Sequence, residues 1–216
     1  MEGILDLLGS DLGKQIISGV AGSTGQDSGK TGSVLTMALP VLMKAMERNA
    51  STPQGAEGIM GALKKHDGGI LDNLGGLFGG GVDESVKQDG AGILGHILGN
   101  KQQGVEKVIG EKAGMDMGGV ANILKVAAPI LMGVLGKQAS QQKVQQPSDI
   151  SGVLGGLLGG ASQSGPVTKE QTFLEKMLDS DGDGSVIDDV AGMVLGGSSN
   201  QKSGGLGGLL GGLFGK

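Results

Sequence analysis

SVLTMALPVLMKAM, residues 33–46, aligns without gaps on NILKVAAPILMGVL, residues 122–135, pairing Pro40 with Pro129 and Met43 with Met132. The same register pairs Val20 with Ile109, Gly25 with Gly114 and Gly29 with Gly118. Several matches at one offset read as a duplicated unit. Within each run the large apolar residues recur at helical spacing: Leu35, Leu39, Leu42 and Met46 in the first, Leu124, Ala128, Leu131 and Leu135 in the second. Each set forms a stripe along one face of a helix. A proline inside such a run removes a backbone donor and disfavours helix for the residue before it. Each run is therefore expected to be a kinked helix, or two helices meeting at the proline. Upstream, Leu12, Ile16, Gly19 and Val20 mark a shorter helix, and Val105, Val108, Ile109 and Lys112 mark its counterpart. The stretches GSTGQDSGKTG (22–32) and GEKAGMDMGG (110–119) are expected to be the connecting loops.

These prolyl helices, the segment DGAGILGHILGNKQ (89–102) and the duplicated layout together resemble a bacterial family catalogued as domain of unknown function 937. The resemblance spans roughly residues 1–140. It implies a helical bacterial protein, and because the family is uncharacterised it implies no activity. His96 lies in the matched segment and reads as capping or filling a helix contact between Ile93, Leu94 and Ile97. GQDSGKT comes nearest to a phosphate-binding loop, with Gly25, Gly29, Lys30 and Thr31, but it is one residue short and no apolar strand precedes it. The repeat has no lysine at this point, so a plain loop is the better reading.

Composition closes off several function classes. Three Phe with no Trp or Tyr leave almost nothing on which bases could stack. The 17 basic and 22 acidic residues give a net charge of −5, the wrong sign for phosphate neutralisation, so no nucleic-acid partner is expected. With no Cys and two His, thiolate and histidine chemistry has little to work with, and no enzymatic activity is expected. The start, MEGILDLL, carries acid where a secretory signal carries Lys or Arg, which predicts no signal peptide and a cytoplasmic location. The most apolar stretch, residues 120–135, is interrupted by Asn122, Lys125 and Pro129 and reads as a buried core helix rather than a membrane span.

Of 216 residues 47 are Gly, and many fall in three segments rich in Leu: 68–81, 150–161 and 204–215. In the last, Leu206, Leu209, Leu210, Leu213 and Phe214 share one helical stripe with Gly opposite. Leu154, Leu157 and Leu158 repeat the scheme, as do Leu74, Leu77 and Phe78. Each interior Gly costs a helix about 0.8–1.0 kcal/mol against Ala. Burying a large apolar side chain returns about 1.5–3 kcal/mol, so such a stripe is helical only when it docks on a surface. Flexible connectors, docking on the protein's own helices or a second copy, and insertion into lipid are the three readings open to these segments. The low positive charge disfavours a membrane surface.

After Pro166 the composition changes, and an amphipathic run of Phe173, Leu174, Met177 and Leu178 leads into DSDGDGSVIDDV. Asp179, Asp181 and Asp183 fall on alternate positions, Gly184 permits the sharp turn, and Ser185 is placed to offer its carbonyl, the pattern of a calcium loop. The twelfth position, where a bidentate Glu would close the site, is Val190, so Asp188 or Asp189 must close it. A shorter carboxylate and the lack of a partner loop predict weak affinity for Ca2+, on the order of 10⁻⁴ M or poorer. The resemblance also implies an Asp-rich tail of this kind.

These readings amount to an all-α chain: helical units at 1–65 and 91–145, Gly-Leu segments at 66–90 and 146–166, a helix-loop-helix resembling an EF-hand at 167–198, and a Gly-Leu tail at 199–216. The expected role is that of a non-enzymatic structural or interaction protein that docks or self-assembles with a protein partner. A membrane-active effector using the Gly-Leu segments is the alternative. The metal loop has a direct test. Calcium is expected to raise the helicity or melting temperature of the wild type by circular dichroism and to leave Asp181→Ala unmoved. An unchanged wild-type melting curve through millimolar calcium refutes the site.

Overall fold

Capping chemistry decides where the helices begin and end in the computed structural model of the protein, which describes residues 3–163. Ten α-helices and no strand occur among the described residues: α1 (Ile4–Gly9), α2 (Asp11–Thr24), α3 (Ser28–Ala50), α4 (Pro53–Lys65), α5 (Gly69–Asp72), α6 (Leu74–Gly79), α7 (Glu84–Leu98), α8 (Gln102–Ala113), α9 (Met117–Gln141) and α10 (Ile150–Gln163). The chain is all-α. The Asp-rich loop and the tail lie outside the described residues.

The connection from α2 to α3 is far shorter than the 22–32 loop expected from the sequence. Gly25 ends α2 in the left-handed region (φ 67°), the Gln26 amide donates to the Ala21 carbonyl at 2.9 Å, and the Asp27 carboxylate accepts from the Lys30 amide at 2.9 Å. The connection from α8 to α9 has the same geometry. Gly114 has φ 62°, the Met115 amide donates to Gly110 at 2.9 Å, and Asp116 accepts from the Gly119 amide at 2.9 Å. Glycine stops one helix without a Cβ penalty, and the carboxylate two residues later satisfies a free donor at the start of the next. The Lys30 ammonium donates to the Gly114 carbonyl at 2.8 Å, tying one turn to the other.

Neither proline breaks its helix: α3 runs through Pro40 and α9 through Pro129. Each ring leaves the carbonyl four residues earlier without its helical donor. In α3 this is Thr36, an exposed residue. In α9 it is Lys125, and Gly90 of α7 packs directly on that oxygen, so close that a Cβ on Gly90 would overlap it. A glycine Cα–H facing a free carbonyl is a weak but favourable contact.

Helix α9 is the centre of the molecule. Its buried face is much wider than the four-residue stripe of the sequence reading and includes Val120, Ile123, Val126, Ala127, Ile130 and Met132. Helices α2, α3, α4, α5, α7, α8 and α10 all pack against it. The helix is longer than the apolar run at 120–135 and is apolar enough to cross a membrane, but 72% of its apolar window is buried by the other helices. Helices from the two sequence-related stretches share one core, with α2 against α9 and α3 against α8. Close approach at α9 again depends on glycine: a Cβ on Gly136 would overlap the His66 carbonyl at the end of α4.

The Gly-Leu stretches among the described residues are helices that pack on this core. Ile150, Val153, Leu154 and Leu157 of α10 are buried, and α10 lies against α1, α3 and α9. Leu74 of α6 is buried, and the Phe78 ring sits on Gly19 of α2.

Two glycines on α7 separate packing from helix propensity. Gly90→Ala is expected to destabilise by about 1–3 kcal/mol through collision with the Lys125 carbonyl, although alanine favours the helix. Gly95→Ala, with nothing within 4 Å of its added methyl, is expected to stabilise by about 0.5–1 kcal/mol. Urea unfolding of the two variants checks the opposite signs.

Candidate functional site

The Thr52 hydroxyl accepts from the Gly55 amide at 3.1 Å and Pro53 occupies the first turn, so α4 begins immediately after α3 ends. Ala56, Met60 and Leu63 turn inward, leaving Gly58 and Gly61 on the outer side with nothing within 4 Å of an added Cβ. On α7, Ile93 and Leu94 are buried while Gly92 faces the same open space. Between these helices runs a groove of about 910 Å³. That volume lies in the range of small-molecule and cofactor sites. Met46 and Met132 are among its lining residues, with Ile59, Ala62, Ile93 and Ile97 supplying further apolar surface.

Polar groups collect along the groove, and the structure already engages many of them. His66 Nε2 lies 3.4 Å from an Asp89 carboxylate oxygen, joining the end of α4 to α7. His96 Nδ1 lies 2.7 Å from the Gly92 carbonyl, one turn back on its own helix. His96 is thus an exposed groove residue that bonds a carbonyl of its own helix, and of the capping and filling roles read from the sequence it does not fill a helix contact. The Asn49 amide donates to the His96 and Ile97 carbonyls at 3.2 and 3.3 Å, satisfying acceptors that the end of α7 leaves free. The Ser51 hydroxyl donates to the Arg48 carbonyl at 2.6 Å, and that of Thr52 to Asn49 at 3.1 Å. Asp89 and His96 stand seven residues apart on α7, about 10 Å along its axis at 1.5 Å per residue. Among the described residues no three His, Cys, Asp or Glu side chains come together to hold a metal ion.

The metal ligands expected from the sequence, Asp179, Asp181, Asp183, Ser185, Asp188 and Asp189, all lie outside the described residues. The near-match to a phosphate loop falls in the first turn of α3. There Thr31 is fully buried and Lys30 is spent on the Gly114 carbonyl. The groove itself was missed. Its signal in the sequence is the file of glycines at 55, 58 and 61, three residues apart along one side of α4.

No curated protein and no solved structure gives a significant match to the chain. A family of bacterial proteins of unknown function, DUF937, matches it in two segments, residues 6–138 and 139–216. The first corresponds to the region of the sequence resemblance, and the second carries the match through the last residue. From residue 6 onward the sequence falls within these two matches, and the chain belongs to the DUF937 family of bacterial proteins.

Proposed function

We propose that this protein is a non-enzymatic structural or interaction protein whose Gly-Leu segments are docking helices. Residues 179–189 add a weak Ca2+ loop, held by Asp179, Asp181, Asp183, the Ser185 carbonyl and either Asp188 or Asp189. The observation that carries the reading is α10. Its sequence, ISGVLGGLLGGASQ, is poor in helix formers, yet it is helical where Ile150, Val153, Leu154 and Leu157 meet the core. Burial of those side chains offsets the backbone entropy of the glycines, of which Gly152 and Gly155 face open space. A segment of this kind is ordered by the surface it finds, which is the property of an interaction module. The groove supports the same reading: it is apolar within and polar along its edge, and its hydroxyls and histidines already serve as caps and helix ties. A protein partner or a second copy of the chain is expected where a Gly-Leu segment finds no surface on its own chain.

The docking claim is tested by Leu154→Ala, which removes a side chain that is 1% exposed. The expected loss is about 2–5 kcal/mol in urea unfolding. A change below about 0.5 kcal/mol, as at an exposed surface position, would show that α10 is an idle connector and sink the reading.

A further inference from the structure

The tail of the chain is built from pieces that the core already binds. LGGLLGG occurs at 154–160 in α10 and again at 206–212, and LGGLFG occurs at 74–79 in α6 and again at 210–215. In their first occurrences both motifs present Leu to the core: Leu154 and Leu157 are buried in α10, and Leu74 is buried in α6. The second occurrences overlap in one segment, residues 206–215, which lies outside the described residues. We propose that this segment docks as a helix in the groove between α4 and α7 of its own chain. The inference rests on the reading of Gly-Leu segments as docking helices and names the surface that the last of them takes.

Three observations favour the groove. The α10 site is filled, and the tail is a poorer match to it. In the register that aligns LGGLLGG, buried Ile150 is replaced by Lys202 and buried Val153 by Gly205. The groove, by contrast, offers Ile59, Ala62, Ile93 and Ile97 to a stripe of Leu and Phe, and the bare sides of Gly58, Gly61 and Gly92 admit a helix at short range. Dimensions agree as well. The 13 residues of α4 form a wall about 20 Å long, and a helix over 206–215 is about 15 Å long. The 40 residues 164–203 reach up to about 130 Å when extended. That exceeds the diameter of the folded body, whose radius of gyration scales to about 15 Å, so the tail can reach the groove from the end of α10.

The chain has no cysteine, so Lys216→Cys places a single nitroxide at the end of the tail of the full-length protein. In nitrogen-15 NMR the label is expected to broaden the amide signals of Gly58, Gly61 and Gly92. Those of Gly22 and Gly25, near the opposite end of α3, should stay sharp. The effect should persist when the labelled protein is diluted into an excess of unlabelled, nitroxide-free protein. Gly61→Phe, which fills the open wall, should abolish it while the dispersed amide spectrum of the rest of the protein is retained. Loss of broadening on dilution would assign the groove to a second copy's tail and overturn the proposal. Broadening around α1 and α10 would overturn it in favour of competition for the α10 site, and no broadening at any amide would overturn it outright. If any of these occurs while Leu154→Ala still destabilises, the groove assignment has failed and the docking reading has not.

Discussion

A helix that is apolar on nearly every side has to be covered on nearly every side, and α9 imposes that condition on the rest of the chain. Residues 120–135 offer water almost no polar side chain. The other helices enclose them, and what lets so many neighbours crowd one helix is glycine at the contact points. Gly90 brings α7 onto the Lys125 carbonyl, and Gly136 admits the end of α4 at the His66 carbonyl. A methyl group at either point would collide with a backbone oxygen, which cannot move aside as the tip of a flexible side chain can.

Glycine therefore serves three roles in this protein, with different energetics. At Gly25 and Gly114 it supplies the left-handed backbone that ends a helix. At Gly90 and Gly136 it supplies closeness, which strengthens dispersion contacts between helices and lets a carbonyl freed by proline face a Cα–H in place of a void. In α10 it lowers intrinsic helix stability enough that helix formation depends on the surface beneath. The Gly-Leu motif relies on this last effect: its Leu side chains meet the core while Gly75, Gly79, Gly152 and Gly155 have nothing within 4 Å of an added Cβ, giving a helix that is weak alone and held by its Leu stripe once docked.

Much of this was legible in the residues. The pairing of Pro40 with Pro129 located the two longest helices, and the apolar spacings at Leu12 to Val20 and Val105 to Lys112 located the shorter ones before them. Connector length was misread because Ser, Thr, Gly and Lys at 22–24 and 28–32 look like loop residues, whereas Gly25 and Asp27 alone make the turn and their neighbours are helical. The prolines left two readings open, a kinked helix or two helices meeting at the ring, and each helix runs through its proline, with Gly90 covering the orphaned oxygen in α9. The glycines at 55, 58 and 61 mark one wall of the groove in the sequence, but its walls come from residues 46–66 and 88–97, and only the fold brings the two sets together. The His66 and Asp89 contact belongs to the same class of information.

Covering α9 is the central requirement of the fold, and native-state hydrogen exchange of its amides measures the cover directly. Residues 123–135 are predicted to exchange more slowly than any other stretch, opening only with global unfolding, so that their protection tracks the stability measured in urea. Exchange of this stretch as fast as that of exposed helix ends, in a protein otherwise folded, would mean that α9 is not enclosed and would contradict the account.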